Sequence, residues 1–155
     1  MPGLAPHRPI WLLAVMAALA AWIWLMSSPA VRADGASQGP GHRVVFHVST
    51  GDAHVHQSVM NNIRNLYEAV GNEPLNVEIV AHGAGLSLLV KGESTVGEQL
   101  ARLKQRFGVE YTACSNTMKA RGLVRDDLVA QVDRAVPAMV RLMGLQEQGW
   151  AYIKP

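Results

Sequence analysis

Cys114 is the only cysteine in the 155-residue chain, and it stands between an apolar stretch and a Ser-Asn-Thr sequence. This pattern predicts a strand that runs directly into the start of a helix. Backbone N–H groups and the helix dipole stabilise an anion at such a junction. A thiol held there has a pKa below its free value of about 8.5, and its thiolate can attack a substrate or carry sulfur. Asn116 and Thr117 are candidate hydrogen-bond donors to the sulfur or to a substrate.

A single cysteine cannot form a disulfide within its own chain. Three roles remain for Cys114. It is an inert core side chain, half of an intermolecular bridge, or a reactive group. Free cysteines are among the most buried residues in proteins, which favours the structural role for Cys114. An accessible free thiol in an oxidising compartment is a liability unless it is used, which favours the reactive role if the chain is exported.

His82 is the second candidate for chemistry, because it follows a β-branched apolar run and precedes Gly83-Ala84-Gly85. Gly83 and Gly85 would let the backbone approach a bound ligand closely. His82 would then serve as a base or proton donor for Cys114. The competing interpretation is a strand-end histidine whose ring is hydrogen-bonded to the backbone.

The other histidines do not predict a metal site. His54 and His56 are two residues apart on a predicted helix, so their rings point in different directions. His47 lies in the middle of a predicted strand, where a hydrogen-bonded core histidine is the usual outcome. The sequence therefore predicts neither a metal nor a cofactor.

Strand and helix patterns alternate along the chain and would bring these candidates together. Strands are predicted at 42–49, 75–82, 109–114, 131–138 and 150–153, and helices at 54–70, 95–107, 115–120 and 139–148. Ser115 or Asn116 is the expected N-cap of the third helix. The alternation predicts a single three-layer α/β domain, with a mostly parallel five-stranded sheet between helices. Cys114, His82 and the glycines then lie along the carboxyl edge of the sheet.

Residues 1–33 have the layout of a secretory signal peptide. Residues 10–26 are uncharged and apolar, and Val31-Arg32-Ala33 resembles a cleavage site. An uncleaved membrane anchor is the alternative, although this run is short for a spanning helix. Both interpretations place the following domain outside the cytoplasm, in the periplasm of a Gram-negative cell, and any contact with the membrane would be through this segment. Residues 34–41 are expected to be a flexible tether to the domain at 42–155.

The charge balance excludes a nucleic-acid partner. The chain has a formal net charge of +2, and this excess comes from Arg8 and Arg32 in the N-terminal segment. Without that segment the basic and acidic side chains are equal in number. A near-neutral domain without a basic stripe has no field to attract a phosphate backbone.

Several segments together resemble the DsrE/DsrF-like family over roughly residues 43–155. They are Asn62 and Asn65 on the first helix, VEIVAHGAG at 77–85, ACSNTM at 113–118, and LQEQGWAYIKP at 145–155. The resemblance implies the YchN-like fold and a homo-oligomer, a trimer or a hexamer. It also implies kinship with sulfur-relay proteins, in which a cysteine beyond a strand accepts sulfur as a persulfide and hands it on.

That cysteine corresponds to Cys114, and the following Arg121-Gly122 resembles the relay branch as well. The leading hypothesis is a periplasmic protein that carries sulfane sulfur on Cys114 and exchanges it with a donor or acceptor protein. His82 would shuttle protons, while Asn116, Thr117, Gly83 and Gly85 would hold the substrate. The alternative is a non-catalytic oligomeric binding module with a structural cysteine, in which residues 86–90 form a subunit contact. A redox-active thiol that forms a mixed disulfide is a third hypothesis.

Overall fold

The structure is a computed structural model, and it describes residues 41–155. The predicted signal or anchor segment and residues 34–40 of the predicted tether lie outside this range. The strands are β1 (His42–Val48), β2 (Leu75–Ala81), β3 (Glu110–Cys114), β4 (Arg134–Val136) and β5 (Ala151–Ile153). The α-helices are α1 (Ala53–Val70), α2 (Gly97–Phe107), α3 (Ser115–Ala120) and α4 (Ala138–Glu147), with 3₁₀ helices at Gly83–Leu89 and Arg125–Asp127. Within residues 41–155 no helix is both long and apolar enough to span a membrane.

All five strands form one parallel sheet in the order β4-β3-β2-β1-β5. The predicted α/β class and its five-stranded sheet are therefore confirmed. The three central strands are the β-branched, apolar runs of the sequence, which suit strands that are buried on both faces. The two edge strands have three residues each. Short edges of this kind limit unwanted pairing with other chains.

Pro137 explains why the fourth strand is shorter than predicted. The predicted strand covered residues 131–138, but β4 covers only Arg134–Val136. Pro137 has no N–H to give to a ladder, and it becomes the N-cap of α4 instead. This edge position is also the place in a sheet where a following proline does least harm.

Helices cover both faces of the sheet, as the prediction required. The first face packs against α1, α2 and the first 3₁₀ helix, and its core includes Phe46, Ile79 and Tyr111. The second face packs against α4, and its smaller apolar cluster includes Val45 and Val80. Successive residues of each strand therefore point to opposite layers.

The apolar segment 86–90 belongs to the core of the single chain. Leu86, Leu88 and Leu89 are fully buried, and Val90 is nearly so. The prediction that this segment forms a subunit contact is wrong, because its apolar side chains are already covered within the domain. The run was too short to distinguish a buried 3₁₀ helix from an exposed contact by its pattern alone.

Candidate functional site

The sheet register brings the two predicted chemical residues side by side. Ala81 of β2 pairs with Ala113 of β3, so His82 and Cys114 follow at neighbouring positions on adjacent strands. His82 keeps an extended backbone beyond the end of β2. Val80 and Cys114 belong to the cluster on the second face, and the two-residue period of a strand assigns His82 to that face as well.

Cys114 is buried at the point where β3 meets α3, with only 5% of its surface exposed. It is itself the N-cap of α3, so the prediction of Ser115 or Asn116 for that position is wrong. The thiol makes no capping hydrogen bond to the helix. Its apolar cluster contains Val45, Val80, Ala138, Leu142 and Leu145.

Hydrogen-bond donors nevertheless lie near enough to the sulfur to lower its pKa. Burial raises the pKa of the Cys114 thiol, but the donors lower it by more, and the net pKa is below the ordinary value. The Thr117 hydroxyl makes the largest lowering contribution. The backbone N–H groups of Ala138, Thr117 and Asn116 add to it. Hydrogen bonds to the charged form of a group favour that form, so these donors stabilise the thiolate relative to a thiol that is buried without them.

Thr117 also joins the thiol to the loop after β2. The Gly83 N–H donates to Thr117 Oγ1 at 3.0 Å. The hydroxyl proton of Thr117 is then free to point at the sulfur, because the oxygen is already an acceptor. Gly83 has a φ of +57°, a conformation that glycine adopts at little cost. The Thr117 hydroxyl therefore joins Gly83 to the helix that begins after Cys114.

The remaining two predicted binding residues occupy different environments. Asn116 is exposed. Its backbone N–H, rather than its side chain, contributes to the lowered pKa of Cys114. Gly85 is buried, and a Cβ atom there would lie 2.3 Å from the Val48 carbonyl oxygen. Gly85 therefore packs closely against β1, whereas the Gly83 N–H donates to the Thr117 hydroxyl.

A chain of hydrogen bonds runs from His82 across the second face, and sequence reasoning missed it. His82 Nδ1 lies 2.8 Å from His47 Nε2, and His47 Nδ1 lies 2.6 Å from Tyr152 Oη. His47 is 6% exposed, and its pKa is lowered first by burial and then by the charges of His82 and Lys154. The period-two alternation of β1, which puts His47 on the same face as Val45, was the signal that could have found it.

A buried carboxylate is the second feature that sequence reasoning missed. Glu78 lies in the middle of β2, is fully buried, and accepts hydrogen bonds from Arg141 to both of its oxygens, at 2.9 and 2.5 Å. Thr112 donates to it at 2.6 Å, and Arg134 lies 3.2 Å away. Burial raises the pKa of Glu78, but these partners outweigh it and the net pKa is lowered.

This ion pair fixes α4 on the second face. Arg141 lies one turn after Ala138, and the Ala138 N–H contributes to the lowered pKa of Cys114. The contact between Glu78 and Arg141 therefore helps to hold the first turn of α4 against Cys114. Beside it, a depression of about 360 Å³ lies between α4 and β5, with His47, Met143 and Tyr152 in its wall.

The histidines do not converge on a metal. Within residues 41–155, no group of three or more His, Cys, Asp or Glu side chains could hold a metal ion. His56 is buried and its ring nitrogen lies 2.7 Å from the Thr50 carbonyl oxygen, so it ties the start of α1 to the preceding loop. His54, two residues earlier, is exposed.

The sequence profile of the DsrE/DsrF-like family matches residues 43–155. The chain belongs to the DsrE/DsrF-like family. This family is associated with sulfur relay. The recognition of the family from the segments around His82, Cys114 and the C-terminus is therefore confirmed.

Solved structures share the fold of this chain. The chain is similar to MTH1491 from Methanobacterium thermoautotrophicum, a protein of unknown function, with 33% identity and a TM-score of 0.68 over 74% of this chain and 99% of that one. It is also similar in fold to the YchN protein from E. coli, with 16% identity and a TM-score of 0.52 over 73% of this chain and 99% of that one. A search of curated proteins finds no significant match.

Proposed function

We propose that the protein carries sulfane sulfur on Cys114 as a persulfide. The observation that supports this most strongly is the set of donors around the sulfur, which lowers the pKa of a thiol that burial alone would raise. The four contributions come from the Thr117 hydroxyl and from three backbone N–H groups. Membership of a family associated with sulfur relay supports the same chemistry.

The transfer is a displacement at sulfur without net oxidation or reduction. The Cys114 thiolate attacks the outer sulfur of a donor persulfide, the sulfur–sulfur bond of the donor breaks, and the donor leaves as a thiolate. Cys114 then holds the transferred atom as a persulfide anion. In the second step an acceptor thiolate attacks that outer sulfur, and Cys114 leaves as a thiolate. The donors that lower its pKa make it a better leaving group in this second step.

His82 is the proposed proton acceptor for the thiol. In one tautomer arrangement, His82 Nδ1–H donates to His47 Nε2, and His47 Nδ1–H donates to Tyr152 Oη. His82 Nε2 then keeps a free lone pair that can accept a proton. The lowered pKa of His47 keeps that ring neutral and maintains this arrangement. His47 and Tyr152 are positioning residues in this proposal, because they act through His82.

Transfer requires the sulfur to become accessible. Cys114 is 5% exposed, and the first turn of α4 lies over it. A local opening of α4 is the simplest route, because this helix is short and three of its large apolar side chains already face solvent. Those side chains are Met139, Val140 and Met143. Binding of a donor protein to this surface would assist the opening.

Sulfur loading can be tested directly by mass. The protein is incubated with thiosulfate or polysulfide, and its intact mass is measured without reductant. We expect a gain of one sulfur atom that is removed by reductant. The Cys114→Ser variant, which differs by one atom, should show no gain. The proposal fails if the protein remains unmodified, or if the two proteins gain mass equally.

Residence outside the cytoplasm is part of the same proposal. It rests on the signal-like residues 1–33. Expression in a Gram-negative cell followed by fractionation tests it, and the expected result is a shortened protein in the periplasmic fraction. A full-length protein in the membrane fraction would support the anchor instead, and a cytoplasmic protein would contradict both.

A non-catalytic oligomeric binding module is the second candidate, and the burial of Cys114 is the observation that favours it. The exposed apolar side chains of α4, with Tyr152 and Ile153 of β5, would then contact other copies in a trimer or hexamer. In this case Cys114→Ala costs some stability but leaves function intact, and the thiol reacts slowly with a small alkylating agent at neutral pH. Rapid alkylation of the folded protein favours the sulfur carrier. Light scattering measures the number of copies.

A further inference from the structure

A groove on the first face of the sheet, opposite the thiol, has the composition of a ligand site. It lies between α1 and α2 and has a volume of about 500 Å³. Ligand pockets for small organic molecules commonly fall between about 300 and 1,000 Å³. The groove is separate from Cys114 and His82, and its role does not depend on the proposed sulfur transfer.

The walls of the groove carry one sign of charge. Arg64 of α1 and Arg102 and Arg106 of α2 line it, and none of its lining residues is acidic. Arg102 and Arg106 are four residues apart on one helix, a spacing at which like charges destabilise a helix. Arg106 lies in the last turn of α2, where the helix dipole favours a cation, and an anion between the two guanidinium groups would offset the repulsion between them.

The three arginines form only weak ion pairs, or none, with other side chains of the described domain. Arg64 and Glu68 lie 3.9 Å apart, and Arg102 and Glu98 lie 3.3 Å apart, both as exposed pairs within one helix. Such pairs contribute little and are easily replaced. Arg106 lies over the ring of Phe107 at 4.9 Å, and it has no carboxylate partner within residues 41–155.

The floor of the groove is apolar. It is formed by Met60, Leu103 and Phe107, of which the first two are buried. Amide side chains stand at its rim, where Gln99 donates to Gln57 at 2.9 Å. An inorganic anion would leave this floor without a contact. A molecule with an apolar body and one anionic head would satisfy both the floor and the arginines.

We propose that the groove between α1 and α2 binds an amphiphilic organic anion, such as a medium-chain carboxylate or an aryl sulfonate. The apolar body lies along Met60, Leu103 and Phe107. The anionic head is held by Arg102 and Arg106 through charge-assisted hydrogen bonds, which are stronger than neutral ones.

Isothermal titration calorimetry with decanoate tests this proposal on the full chain. The key variant is Gln105→Glu, which places one negative charge in the groove on an exposed side chain. The matched control is Gln148→Glu, which adds the same charge to an exposed position at the end of α4. Both proteins keep the apolar N-terminal segment, so any binding of decanoate to that segment is common to them.

We expect decanoate to bind the unchanged protein and Gln148→Glu with equal affinity, and Gln105→Glu at least about tenfold more weakly, because a like charge at this range is costly near a protein surface. Decanol, the neutral analogue, should bind at least about tenfold more weakly than decanoate. The proposal is overturned if decanoate does not bind, if both variants weaken it equally, or if decanol binds as tightly.

Discussion

The two faces of the sheet are built from alternate residues of the same strands, yet they differ in kind. The first face is apolar throughout, and two long helices and a 3₁₀ helix cover it. The second face carries His47, Glu78, Thr112 and Cys114 beneath the single helix α4. Parallel sheets are normally apolar on both faces, because helices cover each of them. The polar second face is therefore the exception that needs a function.

The difference teaches how the fold keeps polar groups inside. Buried polar groups are costly unless they are paired, and both Glu78 and His47 on the second face have partners. Glu78 pairs with Arg141, and His47 pairs with His82 and Tyr152. The larger apolar core lies on the first face, and the second face holds the thiol beneath α4.

Truncating one leucine on each face gives the largest expected effects. Leu100→Ala on the first face and Leu142→Ala on the second should each lower the free energy of unfolding by about 2–5 kcal/mol, since both side chains are buried. Only Leu142→Ala should also speed alkylation of Cys114, because only that cavity loosens the cover of the thiol. Urea unfolding and thiol labelling measure the two effects. Equal labelling rates in the two variants would argue against the division between the faces.

Removing Arg141 tests the ion pair on the second face. Arg141→Leu leaves the Glu78 carboxylate buried with only Thr112 and Arg134 as partners, and it should cost about 3 kcal/mol of unfolding free energy. The control is Arg64→Leu, whose exposed pair with Glu68 contributes at most about 1 kcal/mol. In the double variant Glu78→Met with Arg141→Leu, most of the lost stability should return. Similar costs for Arg141→Leu and the control would contradict a structural role for the pair.

Replacing Thr117 affects the donors around the sulfur more than the packing. Thr117→Val keeps the shape of the side chain, removes the hydroxyl, and leaves the Gly83 N–H without its acceptor, at a cost of about 1–2 kcal/mol. The pKa of Cys114 should rise, because the largest lowering contribution is lost. Thr117→Ser should preserve both properties. The rate of Cys114 alkylation at neutral pH measures the change. An unchanged rate in Thr117→Val would show that the hydroxyl has no effect on the pKa of Cys114.

Lowering the pH should weaken the fold slightly through His47. Its pKa in the folded protein is lowered below the unfolded value of about 6.5, so the unfolded chain binds more protons between these two values. Stability is therefore fully present above about pH 6.5 and declines as the pH falls below it. His47→Gln should flatten this part of the profile. Urea unfolding at several pH values below about 6.5 measures this profile. If His47→Gln leaves the profile unchanged, the loss of stability does not come from His47.

Much of the fold was predictable from local sequence patterns. The apolar runs at β1, β2 and β3 predicted the central strands, and the junction of β3 with α3 marked Cys114 as a candidate. Parallel alternation then predicted that His82 and Cys114 share one edge of the sheet. Each of these inferences needs only neighbouring residues and the geometry of a strand.

The rest depends on contacts between distant parts of the chain. Glu78 stands inside an apolar run, and nothing near it in the sequence indicates that Arg141, 63 residues away, neutralises it. The contact between His47 and Tyr152 joins residues 105 apart. The pairing of charges across such distances is set by the three-dimensional packing of α4 and β5, which periodicity does not encode.

The most direct test of the account is the pH dependence of Cys114 alkylation in the folded protein. The donors near the sulfur should make the rate rise with a midpoint below the ordinary pKa of a thiol, and Thr117→Val should move that midpoint upward. We expect this profile under conditions where urea unfolding shows the domain intact. A midpoint at or above the ordinary value, or a thiol that reacts only when the domain unfolds, would contradict it.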